Sequence, residues 1–217
     1  MKEFPAGGRT IRGYLAVPEQ GSGPGVLVLH AWWGLNDFFK QVCDRLAREG
    51  FIAFAPDLYQ GKTTTSLEEA EQLATQSIES EETAQALDAA IDYLLAQPGR
   101  SGKAPGAVGF SLGGFWALGL KDHVAAIVTF YGTTSPERVR PGVDILGHFA
   151  EHDEFEPGEQ VRQFEETLRS SGRQVSFFSY PGTHHWFFEE NCPEYNPEAA
   201  RLAWERTIAF LHQKLER

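Results

Sequence analysis

Seven short apolar runs recur along the chain, at residues 10–17, 25–29, 51–55, 106–110, 124–131, 144–150 and 175–180. Five are nearly continuous in Val, Ile, Leu, Phe and Ala, the pattern of strands covered on both faces of a parallel sheet. Residues 10–17 alternate with polar positions and read as an edge strand. Between the runs lie segments of helical period. Residues 36–49 place Phe39, Val42, Cys43, Leu46 and Ala47 on one face, open on Asn36 as N-cap and stop at Gly50. Residues 80–96 repeat the pattern and end at Pro98-Gly99; further helices are expected at 112–121, 158–170 and 197–215. Strand and helix in alternation predict an α/β fold with right-handed crossovers.

The stretch 61–82 departs from the pattern. It is polar and carries Glu68, Glu69, Glu71, Glu79, Glu81 and Glu82. Such a run predicts a solvated helix face, with a mobile cover over a pocket as the sharper alternative.

Composition narrows the function classes. With 19 Lys and Arg against 30 Asp and Glu, the formal charge is −11, and the basic residues are scattered. A nucleic-acid surface is therefore not expected. No apolar stretch has the length of a membrane span or a signal-peptide core, so a cytoplasmic chain without membrane contact is expected. Cys43 and Cys192 form neither a disulfide framework nor a C-x-x-C pair.

Gly109-Phe110-Ser111-Leu112-Gly113 is a G-x-S-x-G sequence between a buried strand and a helix. A sharp strand-to-helix turn there forces Ser111 into a strained conformation and pushes its hydroxyl out of the sheet, with the Leu112 N–H beside it. A serine hydroxyl needs a base to become a nucleophile, and the base needs an acid to fix its tautomer. Both should follow in the chain, each just past a strand end. Asp153 fits the acid, with Glu151, Glu154 and Glu156 as competitors; His184 and His185 compete for the base. His30, His123, His148, His152 and His212 read as core or surface histidines, and no metal site is expected. The second oxyanion donor is expected from the loop after 25–29, at the Trp32 N–H. Trp32 and Trp33 are candidate walls of an acyl pocket, with core packing as the alternative, and Tyr59 and Trp186 add to the aromatic set.

The chain resembles the dienelactone hydrolase family of α/β hydrolases over nearly its whole length. The resemblance rests on GYLAVP at 13–18, HAWWGLN at 30–36, APDLYQG at 55–61, GFSLGG at 109–114, HFAEHD at 148–153 and YPGTHHWF at 180–187. It implies one α/β-hydrolase domain over residues 1–217, with a mostly parallel central sheet and helices on both faces. Aligning the last motif on Phe187 selects His185 as base. The departures are equally specific: Ser111 stands where family archetypes have Cys, Ala31 where many have Glu, and Gly61 and Glu189 where they have two substrate-binding arginines. Glu189 would then face a substrate carboxylate and repel it. The expected function is hydrolysis of a small ester or lactone through a serine acyl-enzyme, without cofactor, by a monomer or small homo-oligomer. Acyl transfer or perhydrolysis by the same residues, and a non-catalytic binding protein, are the alternatives; labelling by a fluorophosphonate separates the last from the rest.

Overall fold

The computed structural model describes residues 1–78, 80–120 and 124–216. Its strands are β1 (Lys2–Ala6), β2 (Arg9–Ala16), β3 (Gly23–Leu29), β4 (Ile52–Pro56), β5 (Arg100–Phe110), β6 (Ala126–Phe130), β7 (Asp144–His152) and β8 (Gln174–His184). They form one sheet in the order β1-β2-β4-β3-β5-β6-β7-β8. β1 and β2 are antiparallel to their neighbours, and β4, β3, β5, β6, β7 and β8 run parallel. Every residue of β3, β4 and β6 is buried, which is why these segments show no alternation.

The edge lies elsewhere than the alternation of residues 10–17 implies. β2 sits second in the sheet, paired on both sides, and β1 is the edge strand. β2 alternates because one of its faces meets solvent. β1 has the same alternation, with Phe4 and Ala6 buried, but its five residues include Pro5 and two charges, so no apolar run marks it.

The helices are α1 (Asp37–Arg48), α2 (Leu67–Ser77), α3 (Glu81–Leu95), α4 (Leu112–Leu118), α5 (Gly158–Ser170) and α6 (Pro197–Leu215). Asn36 caps α1 as expected, accepting hydrogen bonds from the Phe38 and Phe39 N–H groups at 3.0 and 3.4 Å. α1 and α6 pack in one apolar cluster against the sheet, and α3, α4 and α5 in another. The acidic stretch holds α2, capped by Ser66, which buries only Ala70 and Ser77. That is the solvated helix of the sequence reading; Glu79, Lys121 and His123 lie outside the described residues.

The register of the parallel strands determines where chemistry is possible. Phe110 on β5 pairs with Phe130 on β6, Phe130 with His148 on β7, and His152 with His184 on β8. The loops that leave β5, β6, β7 and β8 therefore emerge side by side at the carboxyl edge of the sheet, where open α/β folds bind ligands.

Candidate active site

Ser111 follows β5 directly and occupies φ 52°, ψ −114°, a left-handed region that costs a non-glycine residue about 1–3 kcal/mol. Two contacts hold it there. Its N–H donates to Phe130 O at 2.8 Å, and its carbonyl accepts the Phe115 N–H of the first helical turn at 3.1 Å. Gly113 allows the turn to close, because a Cβ at that position would be driven into the backbone carbonyls of Leu29 and His30. The start of α4 is thereby pressed against the end of β3, next to the loop that carries Trp32.

Asp153 follows the last residue of β7, and His185 the last residue of β8. Ser111 Oγ lies 2.9 Å from His185 Nε2. His185 Nδ1 lies 2.8 and 2.9 Å from the two carboxylate oxygens of Asp153. A carboxylate only accepts, so Nδ1 carries the proton and Nε2 presents its lone pair to the serine hydroxyl. Asp153 Oδ1 also accepts the N–H groups of Phe155 and Glu156 at 2.9 and 3.0 Å, which fixes the carboxylate. Both side chains are buried, His185 at 5% and Asp153 at 1% exposure.

The competitors for these roles have other occupations. His184 is exposed and its ring faces His152 at 5.5 Å. Glu151 accepts the Gly182 N–H at 2.8 Å, Glu154 is exposed, and Glu156 is held by Thr133. His30 is fully buried, bonded to Ala31 O and accepting the Leu58 N–H, and burial pulls it down to about 4, so it stays neutral. His148 is likewise buried between Tyr180 and Thr207, with burial lowering it to about 3.

Among the described residues, neither the Trp32 N–H nor the Leu112 N–H is engaged by another protein group. Trp32, Trp33 and Trp186 pack on one another with ring centroids 5.4 to 5.9 Å apart. The sequence reading missed Phe155. Its ring lies 4.9 Å from that of His185 and 5.5 Å from that of Trp32, and it is 52% exposed. Its only sequence signal is its place two residues after Asp153. Trp32 and Phe155 offer accessible faces, while Trp33 and Trp186 are buried behind them.

Two expected pocket residues belong elsewhere. Tyr59 is buried in the apolar cluster on the α3 side, against His30 and Trp116. It lines a cavity of about 170 Å³ together with Leu73 and Ser77 of α2, and not with Ser111. The chain after β4 turns Tyr59 down into that cluster, and burial pushes its hydroxyl up to about 12. Glu189 is fully buried and accepts the Tyr131 hydroxyl at 2.8 Å. Burial pushes its carboxyl up to about 8, so near neutrality it is protonated and meets no substrate. Its place in the sequence matches a ligand-binding position, but here the side chain turns inward. Among the described residues no group of three His, Cys, Asp or Glu could hold a metal ion.

The dienelactone hydrolase family model matches residues 11–215. This chain belongs to that family. Lactones are cyclic esters, so its class is that of the carboxylic ester hydrolases. It is 36% identical to protein usf of Aquifex pyrophilus, over 99% of this chain and 98% of that one. It is 33% identical to an Aquifex aeolicus protein named "Putative carboxymethylenebutenolidase", over 100% of this chain and 99% of that one. A solved dienelactone hydrolase-like promiscuous phosphotriesterase from metagenomic libraries, P91, superposes with TM-score 0.84 at 24% identity, covering 98% of this chain and 96% of that chain. At that identity the likeness carries the fold alone. Among the described residues no helix of this family member is long and apolar enough to cross a membrane.

Proposed function

We propose that this hydrolase cleaves small carboxylic esters or lactones through an acyl-enzyme on Ser111. The observation that carries the reading is the continuous chain of hydrogen bonds from Ser111 Oγ to His185 Nε2 at 2.9 Å and from His185 Nδ1 to Asp153 at 2.8 Å. His185 takes the hydroxyl proton as Ser111 Oγ bonds to the ester carbonyl carbon, and Asp153 stabilises the imidazolium that forms. The carbonyl oxygen, now an oxyanion, accepts the Leu112 and Trp32 N–H groups, which are free to donate to it. The carbonyl re-forms, the alkoxide departs with the proton held by His185, and the acyl group stays on Ser111. Water then gives a proton to His185 and attacks the acyl carbon; the acid leaves, and the proton returns to Ser111 Oγ.

The accessible faces of Trp32 and Phe155 favour an uncharged acyl or alcohol group. The carboxylate-bearing substrate implied by the family's archetypes is therefore not the one assigned to this chain. No cofactor enters any step. A fluorophosphonate probe tests the reading: it should label the intact protein covalently and leave Ser111→Ala unlabelled. Equal labelling of both, or none of either with ester turnover unchanged in Ser111→Ala, overturns it.

A further inference from the structure

The residues that leave β6 make no side-chain hydrogen bond to Ser111, His185 or Asp153, yet they touch the loops of all three. Phe130 O accepts the Ser111 N–H at 2.8 Å. Gly132 lies so close to the nucleophile turn that a Cβ on it would be driven into Ser111 O, with Gly114 Cα 3.1 Å away. On the acid side, the Thr133 N–H and hydroxyl donate to the two oxygens of Glu156 at 2.8 and 2.7 Å, and the Glu156 N–H donates to Asp153. Between them, Tyr131 lays its ring 4.8 Å from that of His185 and donates its hydroxyl to Glu189, four residues past His185.

The tie through Tyr131 is costly for the fold. Tyr131 is held at φ 39°, which strains a residue with a Cβ. Glu189 is 0% exposed, and a hydrocarbon of the same shape would avoid its desolvation. The β6 backbone is already paired on both sides, so the sheet does not depend on this bond. What the bond does join is the segment that supports Ser111 and the loop that carries His185.

We infer that Tyr131 and Glu189 are a positioning pair that holds the imidazole of His185 at its distance from Ser111. The inference rests on the reading of Ser111 as nucleophile and His185 as its base. Tyr131 backs one face of the ring, and its hydroxyl, seated on Glu189, keeps that face from sliding along the His185 loop. Misplacing a reacting group by about 1 Å costs on the order of 100-fold in rate, which sets the scale of the effect.

The test compares Tyr131→Phe, Glu189→Leu, Glu189→Gln and the double variant Tyr131→Phe/Glu189→Leu with the intact chain on one small neutral ester. Tyr131→Phe removes a single oxygen, so it keeps the test valid if Glu189→Leu fails to fold; near-UV circular dichroism reports folding. The expected result for Tyr131→Phe is a kcat lower by about 10- to 100-fold with KM held within about threefold. Glu189→Leu should match it, and the double variant should be no worse than either single change. Glu189→Gln still accepts the Tyr131 hydroxyl and should rescue kcat to within about threefold of the intact chain. Unchanged kcat in Tyr131→Phe, a loss confined to KM, or Gln as damaging as Leu overturns the inference. Ser111→Ala separates the two readings: if it is inactive while Tyr131→Phe turns over normally, only the positioning pair falls, and if it remains active, both fall.

Discussion

His184 and His185 are neighbours in the chain with opposite surroundings: His184 is exposed beside His152, and His185 is buried 2.9 Å from Ser111 Oγ. β8 ends at His184 and the chain turns at His185, so the two adjacent side chains leave in different directions. Only His185 reaches Ser111. Ser111→Ala and His185→Ala should each lower kcat on a neutral ester by about 10⁴-fold or more. His184→Ala should retain most of the activity. Steady-state kinetics of the three purified variants check this, and an inactive His184→Ala beside an active His185→Ala reverses the assignment.

Asp153→Asn is expected to reduce kcat by on the order of 10³- to 10⁴-fold while leaving the fold intact. An amide in that place offers an N–H to Nδ1 and selects the tautomer that has no lone pair for Ser111. Glu154→Gln, on the same loop but exposed, should turn over like the intact chain. Equal kcat for Asp153→Asn and Glu154→Gln would remove Asp153 from the mechanism.

Stability should fall as pH rises. Glu189 moves from an ordinary value of 4.5 up to about 8 on burial. A carboxyl raised in this way folds without penalty below its unfolded value and opposes folding increasingly up to its folded one. Across that window, from about 4.5 to about 8, the loss is on the order of 5 kcal/mol. Glu156, raised to about 7 chiefly by burial, adds in the same direction. Urea melts of Glu189→Gln between pH 5 and pH 9 should show a flatter profile than those of the intact chain, since the amide cannot ionise; parallel profiles would show that Glu189 stays charged.

A neutral aryl ester should be cleaved with higher kcat/KM than the matched ester bearing a free carboxylate, because the accessible rings of Trp32 and Phe155 are aromatic walls. Phe155→Ala should raise KM for the aryl ester about 2- to 12-fold, the loss of one aromatic contact. Glu189→Arg should not admit the anionic ester. It places an unpaired guanidinium in a fully buried site and should lower the melting temperature instead. Faster cleavage of the anionic ester by Glu189→Arg, in a stably folded protein, would return position 189 to the substrate pocket.

The periodicity of the chain determined the parallel strands, five of the helices and the G-x-S-x-G turn, because continuous apolar runs and helical spacing are local properties that burial imposes directly on sequence. It also narrowed the acid to one loop and the base to two adjacent histidines, since both must follow strand ends. Tertiary structure alone decided what lies beyond those loops. Position 59 sits in a motif of the family resemblance and position 189 two residues past another, where the resemblance implies a binding site, yet Tyr59 turns into the cluster on the α3 side and Glu189 turns under Tyr131. Phe155 against His185, and the ties from Tyr131 and Thr133 to Glu189 and Glu156, join residues 23 to 58 positions apart, or 30 in the case of Phe155. No spacing rule encodes such pairs. They exist because β5, β6, β7 and β8 lie side by side and deliver four loops to one edge of the sheet.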